Sequence, residues 1–245
     1  MKLAIIADIH EDIINLKLAI KKIEKYNCDQ IICLGDISGF GVPFCSHFDT
    51  RNAHECLAII KQNCNIILMG NHDLNAVKRL PETNYGFKYP SNWYELDYPE
   101  KLKLSKGILW LYDNNELNPL YTKSDIEFLL TLPELYILKT GKINILLTHY
   151  LYPNISGSMI EFIEGIDDFK KHFEFMKTQN YQIAICGHAH VKGIFVAIKN
   201  KIIQRRFKKL KLPSELACIV APSIINSNGF LIFDTDNFEL VAKRF

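Results

Sequence analysis

The chain has 245 residues, 48% of them hydrophobic, with 29 Lys and Arg against 27 Asp and Glu. That length suits one large domain or two small ones and can bury a sizeable core without staples. The net charge of +2 selects no partner class, and no apolar run approaches the ~20 residues of a membrane span. None of the seven cysteines forms a Cys-x-x-Cys pair, and Cys33, Cys64, Cys186 and Cys218 sit in or beside apolar runs. They read as buried, reduced thiols of a cytosolic protein. The start, 1–9, is too short and too early charged for a signal peptide, so a cytoplasmic location is expected.

Lys2 to Ala7 predicts a buried strand that ends at Asp8-Ile9-His10. Residues two apart on an extended chain share a side, so Asp8 and His10 are expected to converge. Asp12 to Tyr26 predicts an amphipathic helix through Ile13, Leu16, Ile20 and Ile23. Gln30 to Leu34 predicts a second strand ending at Gly35-Asp36. The flexible run Ile37-Ser38-Gly39-Phe40-Gly41 is no helix start, which favours Asp36 facing a site over capping a helix. A helix over about 52–61 follows, with His47 and His54 read as ordinary surface or helix residues. Ile66 to Met69 predicts a third strand, delivering the turn Gly70-Asn71-His72-Asp73. Strand, polar end and helix thus recur three times, the alternation of an α/β fold that binds ligands at the carboxyl ends of its strands.

The stretch 84–121 breaks this rhythm with Tyr85, Phe87, Tyr89, Trp93, Tyr94, Tyr98, Trp110 and Tyr112. Lys101 to Leu104 and Ile108 to Tyr112 look like strands around Gly107. The insertion is a cap or dimer patch, or it packs its aromatics on its own domain. Thr122 to Thr131 predicts a short helix capped by Thr122 or Ser124. Leu135 to Lys139 and Lys142 to Leu147 predict a hairpin that ends at Thr148-His149. Met159 to Thr178 reads as helical, with His172 exposed. Gln182 to Cys186 predicts a strand ending at Gly187-His188-Ala189-His190, with both imidazoles on one side. From Gly193 on, five apolar runs suggest a second, largely antiparallel sheet. Lys199, Lys201, Arg205, Arg206, Lys208, Lys209 and Lys211 form a basic cluster. It reads as a solvated strand edge or as a nucleic-acid contact, and aromatics for base stacking are sparse beside it.

The strand ends therefore supply Asp8, His10, Asp36, Asn71, His72, His149, His188 and His190. Nitrogen and carboxylate ligands without thiolates suit manganese, iron, zinc or nickel. Eight such residues exceed one tetrahedral site and fit two ions sharing a carboxylate. In this order, Asp8-x-His10, Gly35-Asp36, Gly70-Asn71-His72-Asp73, His149 and Gly187-His188-Ala189-His190 resemble the full motif set of the calcineurin-like metallophosphoesterases. The likeness is nearest to the small bacterial and archaeal phosphodiesterases, with Gly39-Phe40-Gly41 where those typically have Gly-Tyr-Gly.

The resemblance implies a four-layer α/β/β/α sandwich of two mixed sheets over 1–245, a single domain carrying the 84–121 insertion. It implies a first divalent metal on Asp8, His10 and His190, a second on Asn71, His149 and His188, and Asp36 bridging them. Manganese is the expected ion, with iron, zinc or nickel as alternatives. His72 would be the catalytic proton donor. The implied activity is hydrolysis of a small phosphodiester or phosphomonoester by in-line attack of a dimetal-bound hydroxide. The alternatives are a nuclease on single-stranded nucleic acid and a protein-interaction scaffold on the same fold. No membrane partner is expected, and oligomeric state is open. Two departures stand out. Gly39 and Phe40 occupy positions where protein phosphatases carry an acidic residue and an arginine, which leaves the partner of His72 undefined. Val220-Ala221-Pro222-Ser223 replaces the Asn-Pro-Gly-Ser of the small phosphodiesterases, which puts a phosphate contact there in doubt.

Overall fold

The computed structural model describes residues 1–83, 86–141, 143–213, 216–227 and 229–245, with the side chains of 226 and 227 left aside. Its architecture follows from strands that are apolar on both faces. In β1 (Lys2–Ile6), Leu3 and Ile5 belong to one buried cluster while Ala4 and Ile6 belong to another. Both faces are covered, so the run reads as continuously apolar instead of alternating.

The chain continues through α1 (Ile13–Ile23), β2 (Gln30–Cys33), β3 (Phe40–Gly41), α2 (Ala53–Asn63), β4 (Ile66–Ile67) and α3 (Asn71–Ala76). Next come α4 (Tyr98–Ser105), β5 (Glu116–Leu117), α5 (Lys123–Leu130), β6 (Leu135–Lys139), β7 (Asn144–Thr148) and α6 (Lys170–Thr178). The end comprises β8 (Ile183–Val191), β9 (Ile194–Ile198), β10 (Lys201–Arg205), β11 (Lys209–Lys211), β12 (Ala217–Pro222), α7 (Ile224–Ser227), β13 (Gly229–Asp234) and β14 (Glu239–Arg244). Two six-stranded mixed sheets result, in the orders β11-β14-β13-β1-β2-β4 and β10-β9-β12-β8-β7-β6. Leu3, Ile5, Ile32, Ile145, Ile185, Ile219 and Phe233 pack between them. A second cluster seats α1 and α2 on the first sheet, and a third seats Phe169, Phe173 and Met176 on the other. These three cores separate four layers, as expected.

Several expectations need correction. The strands after Gly193 do not form a sheet of their own: β9, β10 and β12 extend the second sheet, while β11, β13 and β14 extend the first. The inter-sheet core requires this, because each half of the strands supplies one wall. Residues 98–105 are helical, not a strand. Asp97 accepts the Glu100 N–H at 2.9 Å, Glu100 returns a bond to the Asp97 N–H at 3.0 Å, and Pro99 sits in the first turn. Residues 108–112 form no strand, only an isolated bridge from Leu109 to Met159. The tetrapeptide after β4 is the cap and first turn of α3, where Asp73 accepts the Gly70 N–H at 3.1 Å. Helix over Met159 to Thr178 is confined to a 3-10 turn, Ile166–Phe169, and α6. Asn84, Tyr85 and Lys142, which the expectations included, lie outside the described residues.

His172 is fully buried, contrary to its expected exposure. Its Nδ1 accepts the Tyr152 N–H at 2.8 Å, so the ring proton sits on Nε2, which has no partner. Burial drives its pKa down to about 4, below the ordinary 6.5. As pH falls through 6.5 the unfolded chain gains a proton that the folded chain refuses until about 4, so stability is lost across that window. The full loss is about 3 kcal/mol. His172→Asn keeps an acceptor for Tyr152. Urea denaturation at pH 7 and pH 5 should show the wild type losing about 2 kcal/mol more than this variant; equal losses would show that His172 stays out of acid unfolding.

Candidate metal centre

Five of the ligand-type residues have left-handed backbone: three in turns just past β1 and β2, and two within the last part of β8, which runs on to Val191 instead of ending at Cys186. Asp8, His10 and Asp36 have φ of 55°, 50° and 53°, and His188 and His190 have 65° and 46°. Asp8 and His10 therefore do not converge by strand alternation. They converge because successive N–H groups clamp this turn onto the end of β2. Asp8 donates to the Gly35 carbonyl at 3.1 Å, and Ile9 and His10 donate to the Asp36 carbonyl at 2.8 and 3.0 Å. Each left-handed non-glycine residue costs roughly 1 kcal/mol, which the clamp offsets. The bonds to the Gly35 and Asp36 carbonyls fix where Asp36 lies. Gly70 lies against its carboxylate, where any Cβ would overlap Asp36 Oδ1.

Among the described residues, three groups of donor atoms lie within 4.8 Å of one another: Asp8, His10 and His190; Asp36, His149 and His188; and His10, Asp36 and His72. Asp36 belongs to two of them. Its Oδ2 lies 3.0 Å from His149 Nε2, 3.9 Å from His10 Nε2 and 4.0 Å from His72 Nε2. Asn71 borders the second group. A Cβ on Gly157 would meet His188 Nδ1 at 2.5 Å and Asn71 Oδ1 at 2.9 Å, and the +79° φ there favours glycine in any case. All seven expected ligands and His72 thus surround one spot.

The donor chemistry fits divalent cations. Asp8 Oδ2 and Asn71 Oδ1 are buried acceptors with no hydrogen-bond partner. Such atoms are rare unless an ion or water completes them. His10 Nδ1 donates to the Gly39 carbonyl at 2.8 Å and His149 Nδ1 to the Leu34 carbonyl at 2.8 Å. These bonds set the tautomers and turn both Nε2 lone pairs inward. His10 Nε2 then faces His190 Nε2 at 3.1 Å, and His149 Nε2 faces His188 Nδ1 at 3.3 Å. Facing nitrogens at such distances are satisfied by a shared proton or by a cation between them.

Electrostatics follow from burial and crowding. Burial raises the pKa of Asp8. Asp36 resists the same burial because His149 and His72 hold its carboxyl well below the usual range. Burial also drives His10 and His188 well below 6.5, helped by His72 and His149 respectively. Against burial, Asp36 lifts His149 to about 9. His72 rises to about 10, since Glu116 and Asp36 outweigh its burial. A cation taking His149 Nε2 must displace that proton.

Glu116 has no precedent in the sequence reading. His72 Nδ1–H donates to Glu116 Oε2 at 2.5 Å. Four residues earlier, the Tyr112 hydroxyl accepts from Asn71 Nδ2 at 2.8 Å, which turns the amide oxygen inward. Both partners come from the aromatic insertion, which β5 ties to β3 through Phe40–Leu117 and Gly41–Glu116 pairs. The insertion also packs on itself, with Phe87, Tyr89 and Trp93 in edge contacts of 4.8 to 5.5 Å. His47 is likewise no bystander: its Nε2 donates to the His10 carbonyl at 2.9 Å. His54 pairs with Asp125 at 2.7 Å, away from the centre. Ser223 is fully buried after β12. An acidic residue three or four positions after an aromatic, in a loop that returns to the strand ends, is the only sequence signal that Glu116 gives.

A mixed two-sheet sandwich with a buried Asp, Asn and His cluster at its strand ends defines a metal-dependent phosphoesterase. The family model for calcineurin-like phosphoesterases matches residues 1–192, and the chain belongs to that family. It is therefore a metallophosphoesterase, of a family that hydrolyses phosphoesters with divalent metals. An uncharacterized protein of Methanocaldococcus jannaschii, MJ0912, is 22% identical over 257 residues, covering 99% of this chain and 86% of the relative. A metallophosphoesterase from Sphaerobacter thermophilus superposes with a TM-score of 0.65 at 18% identity, covering 100% of this chain and 87% of its own. Hypothetical protein PH1004 from Pyrococcus horikoshii superposes at 0.58 with 16% identity, covering 99% and 87%. At these identities the structural likeness speaks for the fold alone.

Proposed function

We propose that the protein hydrolyses a small phosphodiester or phosphomonoester at a centre of two divalent cations. Asp8, His10 and His190 would hold one cation, Asn71, His149 and His188 the other, and Asp36 both. The observation that carries this reading is the pair of buried, partnerless acceptors, Asp8 Oδ2 and Asn71 Oδ1, one in each half of the cluster. When bound, such cations supply Lewis-acid activation of water near neutral pH and neutralise phosphoryl charge.

The side chains supply the rest. His72 is protonated at neutral pH because Glu116 and Asp36 outweigh the burial that opposes its charge. It donates a proton from Nε2 to the departing ester oxygen, while Nδ1–H stays on Glu116. The Glu116 bond fixes the ring and favours the protonated form that this role needs. Tyr112 keeps the Asn71 oxygen turned toward the cluster. The second ester group distinguishes a diester from a monoester, and the insertion wall beside Asn71 and His72 is where it would be sensed.

Manganese suits the oxygen and imidazole donors, with iron, zinc and nickel as competitors. The reading includes one catalytic unit over 1–245 and a cytoplasmic location, which the seven free thiols support. No described helix is long and apolar enough to cross a membrane.

The test is direct. Purified protein supplied with manganese, iron, zinc or nickel should hydrolyse bis(p-nitrophenyl) phosphate or p-nitrophenyl phosphate, with rate tracking bound metal. No hydrolysis of either ester with any of the four metals would overturn the proposal.

A further inference from the structure

Between Glu174 and Glu215 the chain has no Asp or Glu, yet nine of its 29 Lys and Arg fall there. A protein of net charge +2 therefore carries one strongly basic stretch and is acidic elsewhere. Strand register says where that charge goes. β8 runs toward the centre and ends beyond His190, with Val191 opposite Pro222. β10 runs the same way, so Arg205, opposite Ile194, lies at the centre's end of the second sheet. In the first sheet, β14 ends at that same end, with Arg244 opposite Gly229.

The connection 206–208 crosses there from one sheet to the other. Phe207 anchors it: a Cβ on Gly229 would approach the ring to 2.8 Å, and the Arg244 guanidinium lies 5.6 Å above it. Lys192, Arg205, Arg206, Lys208 and Arg244 are exposed around this crossing. Lys209 is paired with Glu239 at 2.6 Å, and Lys199 and Lys201 belong to the turn at the opposite end. Protection of sheet edges from aggregation accounts for lysines along an edge. It does not account for five cations gathered at the catalytic end, three of them arginines.

β10 stands three strands from β8, about 14 Å across the sheet. Lys192 stands two residues beyond His190 while Arg205 stands three strands out, so an occupant that spans the centre and the whole rim carries several phosphates in a row. We infer that the rim tracks the backbone of a single-stranded oligonucleotide and feeds its scissile phosphodiester to the metal centre. This rests on the phosphoesterase reading of that centre. Asp8, Asp36 and His149 are buried at 0 to 1% exposure, so a flexible strand can dip one phosphate among them where a stiff duplex cannot. An acidic peptide would satisfy the rim but bring no ester to the centre. The step is hydrolysis: water oxygen bonds to phosphorus and releases a proton to solvent, the ester P–O bond breaks, the departing oxygen takes a proton from His72, and His72 regains one from solvent. Among the described residues no exposed aromatic lines the rim, so binding reads backbone and not base.

The experiment compares bis(p-nitrophenyl) phosphate with fluorescein-labelled oligothymidylate on the metal-loaded protein, using wild type and the triple variant Arg205→Ala, Arg206→Ala, Lys208→Ala. The wild-type KM for the oligonucleotide should rise roughly 100-fold between about 50 and 200 mM salt. The variant should lose at least about tenfold in oligonucleotide affinity, with a salt slope shallower by about 2, and should keep its rate on the chromogenic diester. Oligodeoxyadenylate should behave like oligothymidylate. If the diester is hydrolysed but the oligonucleotide is uncut, or the triple variant matches wild type on it, the rim plays no part and the phosphoesterase reading stands. Binding of phosphatidylserine vesicles in preference to the oligonucleotide would also overturn the inference. If neither ester is hydrolysed, the reading of the centre fails and the inference fails with it.

Discussion

Asp36→Asn is expected to abolish divalent-metal retention and to cut activity by roughly 10³-fold or more, whereas His72→Ala should lose activity and keep its metal. The reason is the placement of the carboxylate that belongs to two of the donor groups. Asp36 Oδ2 lies 3.0 Å from His149, and 3.9 and 4.0 Å from His10 and His72. Its Oδ1 accepts the His72 backbone N–H at 3.0 Å. An asparagine is nearly the same shape and retains one acceptor, but it removes the charge that both halves of the cluster share. His72 faces the cluster but belongs to neither proposed ligand set, and its Nδ1–H is held by Glu116. Removing it deletes a general acid, a role worth about 10²- to 10⁴-fold. Metal analysis and turnover on one chromogenic ester separate the two variants. If Asp36→Asn binds two equivalents of manganese as wild type does, the bridging role is wrong.

The second large effect concerns Glu116. Glu116→Ala should lower kcat by roughly 10²-fold with metal content and KM unchanged, since it removes what orients the acid. Glu116→Gln still accepts a bond from His72 and should cost only about tenfold. It should, however, move the alkaline limb of the kcat profile to lower pH. The sign follows from the carboxylate: burial opposes the His72 charge, and Glu116 is the first group that restores it, lifting the pKa to about 10. Without that charge the imidazolium gives up its proton at lower pH. A kcat profile for Glu116→Gln that overlays the wild type would remove Glu116 from the mechanism and leave it a packing residue of the insertion.

These predictions show how unevenly the site could be read from the chain. Asp8, Asp36, Asn71 and His149 announce themselves because each follows a buried strand, and His188 and His190 because they close the apolar run of β8; such ends converge in an α/β fold. His10 belongs with them, although the physical route differs: left-handed turns, not strand alternation, aim it and His190 inward. Glu116 and Tyr112 could not be found this way. They lie in an irregular stretch whose local composition predicts only aromatic packing, and 44 and 41 residues separate them from their partners. His172 failed for a related reason. The periodicity of α6 was visible, but the packing of Phe169 and Phe173 beside it, which decides what is buried, was not.

The order of strands and helices, the two-sided apolar runs and the chemistry at each strand end were determined by the sequence itself, since they depend on local period and residue type. Which sheet each late strand joined and what stands behind His72 were decided only by tertiary structure. Those outcomes depend on non-local pairing: the inter-sheet core assigns β9 to β14 to their walls, and the β3–β5 bridge carries Glu116 to the catalytic histidine.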